Sequence, residues 1–137
     1  MSEQLSRRTF SVRLLIASLA GLALLLASCS GPPPTVETIT VSNSTGYDLD
    51  VQVTGRDRNG WLPMAIAEAR SERKTEQVTD QGEVWIFRFL HWGDPVGEVS
   101  LTRGELERNG WHVEVPAEVE ERLRQLGRPT SEEVPAT

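Results

Sequence analysis

Eight consecutive residues, Tyr47-Asp48-Leu49-Asp50-Val51-Gln52-Val53-Thr54, alternate apolar and polar without a break. A period of two puts Tyr47, Leu49, Val51 and Val53 on one face of an extended chain and the acids and amides on the other. A helix cannot carry that pattern. A strand that carries it must lay its apolar face on a second layer of structure.

The neighbouring segments read the same way. Glu37-Thr38-Ile39-Thr40-Val41 is rich in β-branched residues, with Ile39 and Val41 inward. Asn43-Ser44-Thr45-Gly46 is a turn cluster, so these two strands are expected to pair as a hairpin. Asn59-Gly60 tolerates the positive φ of a tight turn and precedes a short strand at residues 61–67. Leu62, Met64 and Ile66 are expected to face inward there, and Pro63 marks an edge or a strand start. Residues 65–73 suit a helical turn or a loop, and strand-loop-strand continuing through residues 74–79 is preferred. After Asp80-Gln81-Gly82 the segment Glu83-Val84-Trp85-Ile86-Phe87-Arg88-Phe89-Leu90 is apolar on both faces, as a central strand is. A shorter strand follows at residues 96–101. Residues 103–108 form a helical turn with Leu106 inward, and Trp111-His112-Val113-Glu114-Val115 alternates until Pro116 stops it.

About seven short strands separated by turn signals predict an all-β fold, a single antiparallel β-sandwich of immunoglobulin-like architecture. Residues 36–116 carry it. Residues 117–127 predict a short helix, with Val119, Leu123 and Leu126 on one face and Gly127 and Pro129 ending it. Residues 128–137 are polar and read as a disordered tail.

The N-terminal segment has another logic. Arg7, Arg8 and Arg13 precede an apolar run at residues 14–27, whose end overlaps the tetrapeptide Leu26-Ala27-Ser28-Cys29. A basic start, an apolar centre and a small-residue cleavage site are the parts of a secretory signal. The run spans roughly 14 residues, short of the about 20 that cross a bilayer. The tetrapeptide resembles the lipobox of bacterial lipoproteins. The resemblance implies that the Cys29 thiol takes a diacylglycerol and that the bond between Ser28 and Cys29 is cut, so residues 1–28 are lost. Ser30 is not the Asp that holds some such lipoproteins at an inner membrane, which leaves either membrane as the destination. Ser6-Arg7-Arg8-Thr9-Phe10 partly resembles a twin-arginine export signal, which would make Arg7 and Arg8 an export motif. Gly31-Pro32-Pro33-Pro34 favours a semi-rigid polyproline spacer, so residues 29–35 read as lipidated Cys and tether.

From Gly31 on, nineteen acidic residues stand against eleven basic ones, a net of −8. Such a domain is unsuited to nucleic acid, whose phosphates are held by Lys and Arg. Cys29 is the one cysteine, so a mature domain has no thiol for catalysis or zinc. No cofactor is expected.

Candidate sites are few. His91 and Asp94 flank Trp92-Gly93 and can be read as metal ligands or an acid–base pair, but zinc takes three or four ligands and the other histidine, His112, is expected to point outward. A turn with Trp92 covering the end of the sandwich is the preferred reading. Asp48 and Asp50 share a strand's outer face about 7 Å apart. Trp85 and Trp111 are expected in the core. Trp61 and Trp92 lie at turns and form the candidate binding surface, since exposed tryptophan stacks on sugars and anchors protein contacts. The leading expectation is a membrane-anchored cell-envelope lipoprotein, a non-catalytic binding or structural module for an envelope protein or glycan. The alternatives are a carbohydrate-binding module using Trp61 and Trp92, and an envelope hydrolase with acids near His91 and Asp94.

Overall fold

The computed structural model describes residues 31–134. The residues read as a signal segment and lipobox, with Arg7, Arg8 and Cys29, lie outside the described residues.

The strands are β1 (Thr35–Asn43), β2 (Leu49–Gly55), β3 (Leu62–Ala67), β4 (Ser71–Thr79), β5 (Val84–His91), β6 (Asp94–Thr102) and β7 (His112–Glu114). Helix α1 (Arg103–Arg108) links β6 to β7, and α2 (Ala117–Gln125) follows β7. Two sheets form, ordered β4-β1-β7 and β3-β2-β5-β6. The protein is an all-β sandwich with a short C-terminal helix. In the four-stranded sheet two hairpins, β2-β3 and β5-β6, join through the antiparallel β2-β5 pair.

Alternation places the core. Ile39 and Val41 from one sheet meet Leu49, Val51, Val53, Phe87 and Phe89 from the other, all within 1% of full burial. Each such side chain contributes about 1.5–3 kcal/mol relative to exposure. β5 pairs on both sides, with β2 and β6, as its continuous apolar run requires. Trp85 is fully buried, whereas Trp111 packs against the core only in part, from a positive-φ position just before β7. Thr102 and Glu105 form a reciprocal capping box that starts α1 and seats Leu106 in the core.

Several expectations are corrected. β1 and β2 do not pair as a hairpin: β1 pairs with β4 and, in parallel, with β7, while β2 joins the other sheet. Alternation sets which face is buried but not which strand lies alongside. The bend between them is a sheet crossing organised by Asn43, 2% exposed, whose amide donates to Tyr47 O, Ala67 O and Glu68 O. Its Oδ1 accepts from the Thr45 N–H and hydroxyl. Tyr47 is buried, but in this bend rather than in β2.

Leu62 and Ile66 are exposed, not inward. The register shifts between Val51 and Gln52, so Ala65 pairs with Val51 and Ile66 with Asp50, whose face points away from the core. Ala67 is buried instead, with Met64 half-buried against the core. Residues 65–73 are strand, turn and strand, the preferred reading. In α2, Val119 and Leu123 are buried but Leu126 is not, because the helix ends before it. The segment read as a disordered tail is held as far as it is described. Arg128 O accepts from the Tyr47 hydroxyl, the Ser131 N–H donates to Gly46 O, and Arg70 pairs with Glu132.

The strand directions define two ends. Thr35, Gly55, Leu62, Thr79, Val84 and Thr102 lie at one, where Pro34 O accepts from the Asp80 N–H. Asn43, Leu49, Ala67, Ser71, His91 and Asp94 lie at the other.

Candidate functional site

The Asn43 end carries the most exposed aromatic among the described residues. Trp92 is 61% exposed and sits in the two-residue turn between β5 and β6. Trp92 and Gly93 have φ of 53° and 85°, so the turn is type I′. That turn favours Asn-Gly, and tryptophan at positive φ is strained. The indole stacks on His91, with centroids 4.6 Å apart and planes 25° apart. The Arg128 guanidinium lies 5.2 Å from the indole centroid and pairs with Asp94 at 2.7 Å.

Beneath the indole, His91 is 4% exposed and meets the Tyr47 ring edge-on. Its Nδ1 is 3.1 Å from Asp48 O. A carbonyl only accepts, so Nδ1 carries the proton, and in the neutral ring Nε2 is left as an acceptor. Nε2 is buried and meets no partner among the described residues. His91 and Asp94 face each other across the hairpin backbone, but the carboxylate turns to Arg128 rather than to the imidazole. They are not joined as an acid–base pair. Among the described residues, no group of three His, Cys, Asp or Glu is placed to hold a metal ion.

Beside Asp48 lies a cleft of about 380 Å³ lined by Asp48, Glu68, Arg70, Ser131 and Glu132. Asp48 Oδ1 accepts from the Ala69 N–H and the Asp48 N–H donates to Ser131 Oγ, which ties the C-terminal segment to the bend before β2. Asp48 is thus a loop cap, while Asp50 stays exposed on β2.

Trp61 belongs elsewhere. It precedes β3 at the Thr35 end, where the Thr54 hydroxyl donates to the adjacent Gly60 O. The Arg88 guanidinium covers it at 4.0 Å, with Arg58 at 5.9 Å. Arg88 also donates to Gln52, and Arg58 grips Glu98 through two hydrogen bonds. Leu62, beside Trp61, pairs with Val53, whereas His91, beside Trp92, reaches Asp48. Strand rise then separates the two tryptophans by roughly 15–20 Å. They do not share one platform. A second cleft of about 400 Å³ at the Thr35 end mixes Arg56, Asp57, Arg58 and Asp80.

Sequence placed Trp92 at a turn but did not bring Arg128, Tyr47 or the buried face of His91 to it. Arg128 follows a helix-ending glycine, and no periodicity ties it to a hairpin far earlier in the chain. No family model, curated protein or solved structure matches the chain.

Proposed function

We propose that the chain is a lipid-anchored cell-envelope protein whose β-sandwich is a non-catalytic binding module, moored through Cys29 and presenting Trp92 to a partner. One observation carries the reading: the chain joins the sandwich at the end opposite Trp92. The proposed mooring at Cys29 precedes β1 in the chain, which leaves the Asn43 end free to present Trp92.

Charge supports the same orientation. Residues 44–48, 68–72, 92–94 and 114–134, which build the Asn43 end, hold ten acids against four arginines. That is −6 of the net −8, while the rest of the domain is close to balanced. Anionic headgroups repel carboxylates, so the acidic end belongs on the side away from the membrane. Two acyl chains suffice for stable mooring at about 0.8 kcal/mol per buried methylene.

The test is the intact mass of membrane-extracted protein. A diacylated N-terminus at Cys29 is expected, and Cys29→Ala should release or misprocess the protein. Recovery of an unmodified thiol on a chain that keeps residues 1–28 overturns the anchor.

A further inference from the structure

We infer that the Asn43 end is a docking site for a basic polypeptide, with Trp92 as its anchor and the cleft beside Asp48 receiving a Lys or Arg side chain. The inference deepens the binding reading above and rests on it.

Three independent features ask for the same chemistry. The first is the field: six of the eight net negative charges gather at this end, which draws a positive partner and steers its approach. The second is the indole. Trp92 is 61% exposed, and the guanidinium of Arg128 already lies over its ring. Tryptophan is the strongest cation–π ring and a frequent interface anchor. The third is His91 Nε2, an acceptor without a partner on a side chain 4% exposed, directly under the indole. A buried acceptor is satisfied by a donor. Lys and Arg carry only donors, the kind of group this nitrogen lacks.

The cleft adds shape. Asp48, Glu68 and Glu132 bring three carboxylates to its wall against the single Arg70, which is engaged by Glu132. A neutral glycan would use the indole but would have no need of this charge.

The experiment measures binding of fluorescent oligo-arginine and oligo-glutamate to the full chain in detergent micelles. Oligo-arginine should bind with an affinity that falls as salt rises, and oligo-glutamate should not bind. Trp92→Ala should weaken binding tenfold or more. Trp92→Asn, which suits the turn, should do the same and guards against misfolding of the first variant. His91→Phe keeps a ring under the indole and removes the acceptor, and should cost several-fold. Glu68→Lys should weaken binding, whereas Glu83→Lys, the same charge change at the Thr35 end, should not. Binding by both Trp92 variants within twofold of the native chain overturns the site. Equal losses for Glu68→Lys and Glu83→Lys also overturn it, because they show general charge attraction. Trp92-dependent binding of a neutral oligosaccharide without binding of oligo-arginine replaces the basic partner with a glycan. Cys29→Ala should bind as the native chain does, so loss of mooring with retained binding sinks the anchor and leaves the site standing.

Discussion

Gly97 lets α2 lie directly on β6: a Cβ at Gly97 would stand 2.6 Å from Val119 Cγ2. Val119 is itself 1% exposed, so it has nowhere to retreat. Gly97→Ala should destabilise the domain by about 1–3 kcal/mol, the usual range for overpacking a filled site. Gly104→Ala is the control. No atom lies within 4 Å of a Cβ there, and alanine in α1 should add about 0.5–1 kcal/mol. Urea unfolding of the two variants reads both signs.

Asn43 holds the sheet crossing through three donated bonds and two accepted ones, most of them buried. Asn43→Ala takes the amide donor from the Ala67 and Glu68 carbonyls and leaves Tyr47 O with the longer bond from the Thr45 hydroxyl. Buried unsatisfied groups cost about 1–3 kcal/mol each, and partial hydration reduces the sum. A loss of about 2–4 kcal/mol is expected in chemical denaturation. A loss under 1 kcal/mol would show that the bend is held by packing instead.

Asp80 ties the β4–β5 turn to α1. Burial pushes its carboxyl up, but the Gly82 N–H and the Arg103 guanidinium outweigh burial and hold it below the usual carboxylate range. A carboxyl lowered in the folded state stabilises above its unfolded pKa of about 4 and loses that contribution as pH falls through the folded value. Native protein should therefore exceed Asp80→Asn in stability at neutral pH, and the gap should narrow as pH falls below about 4. A gap that does not narrow in acid would sink the ion-pair account.

Trp92→Asn replaces a strained turn residue with one that favours positive φ. With the indole 61% exposed, little burial is lost. Stability should rise by several tenths of a kcal/mol in thermal unfolding. A fall of more than about 1 kcal/mol would mean that the stack on His91 outweighs the strain.

Deleting residues 128–137 removes the acceptor of the Tyr47 hydroxyl, the Arg128–Asp94 pair and the Ser131–Gly46 bond. Hydrogen bonds of this kind contribute about 0.5–1.5 kcal/mol net each, and the exposed ion pair adds less. The truncated chain should lose about 1–3 kcal/mol and show earlier amide exchange at Asp48 and Tyr47. Unchanged exchange there would return the segment to the status of a loose tail.

Alternation at Leu49, Val51 and Val53, the two-sided run from Val84 to Leu90, and the Gly and Asn turn positions made strand count, fold class and most of the core legible from residues alone. These signals are local: a period of two and a turn dipeptide depend on neighbours within a few residues. Trp92 at a turn was legible for the same reason.

What the tertiary structure decided was partnership. Which strand lies beside β1, which face of β3 the bulge at Val51 and Gln52 turns inward, and how Arg128 comes to Trp92 all depend on contacts between residues far apart in the chain. A hydrophobic period reports that a face is buried and carries no record of what buries it. The gathering of ten carboxylates at one end, with an unpaired imidazole nitrogen under an exposed indole, exists only once those distant segments have met.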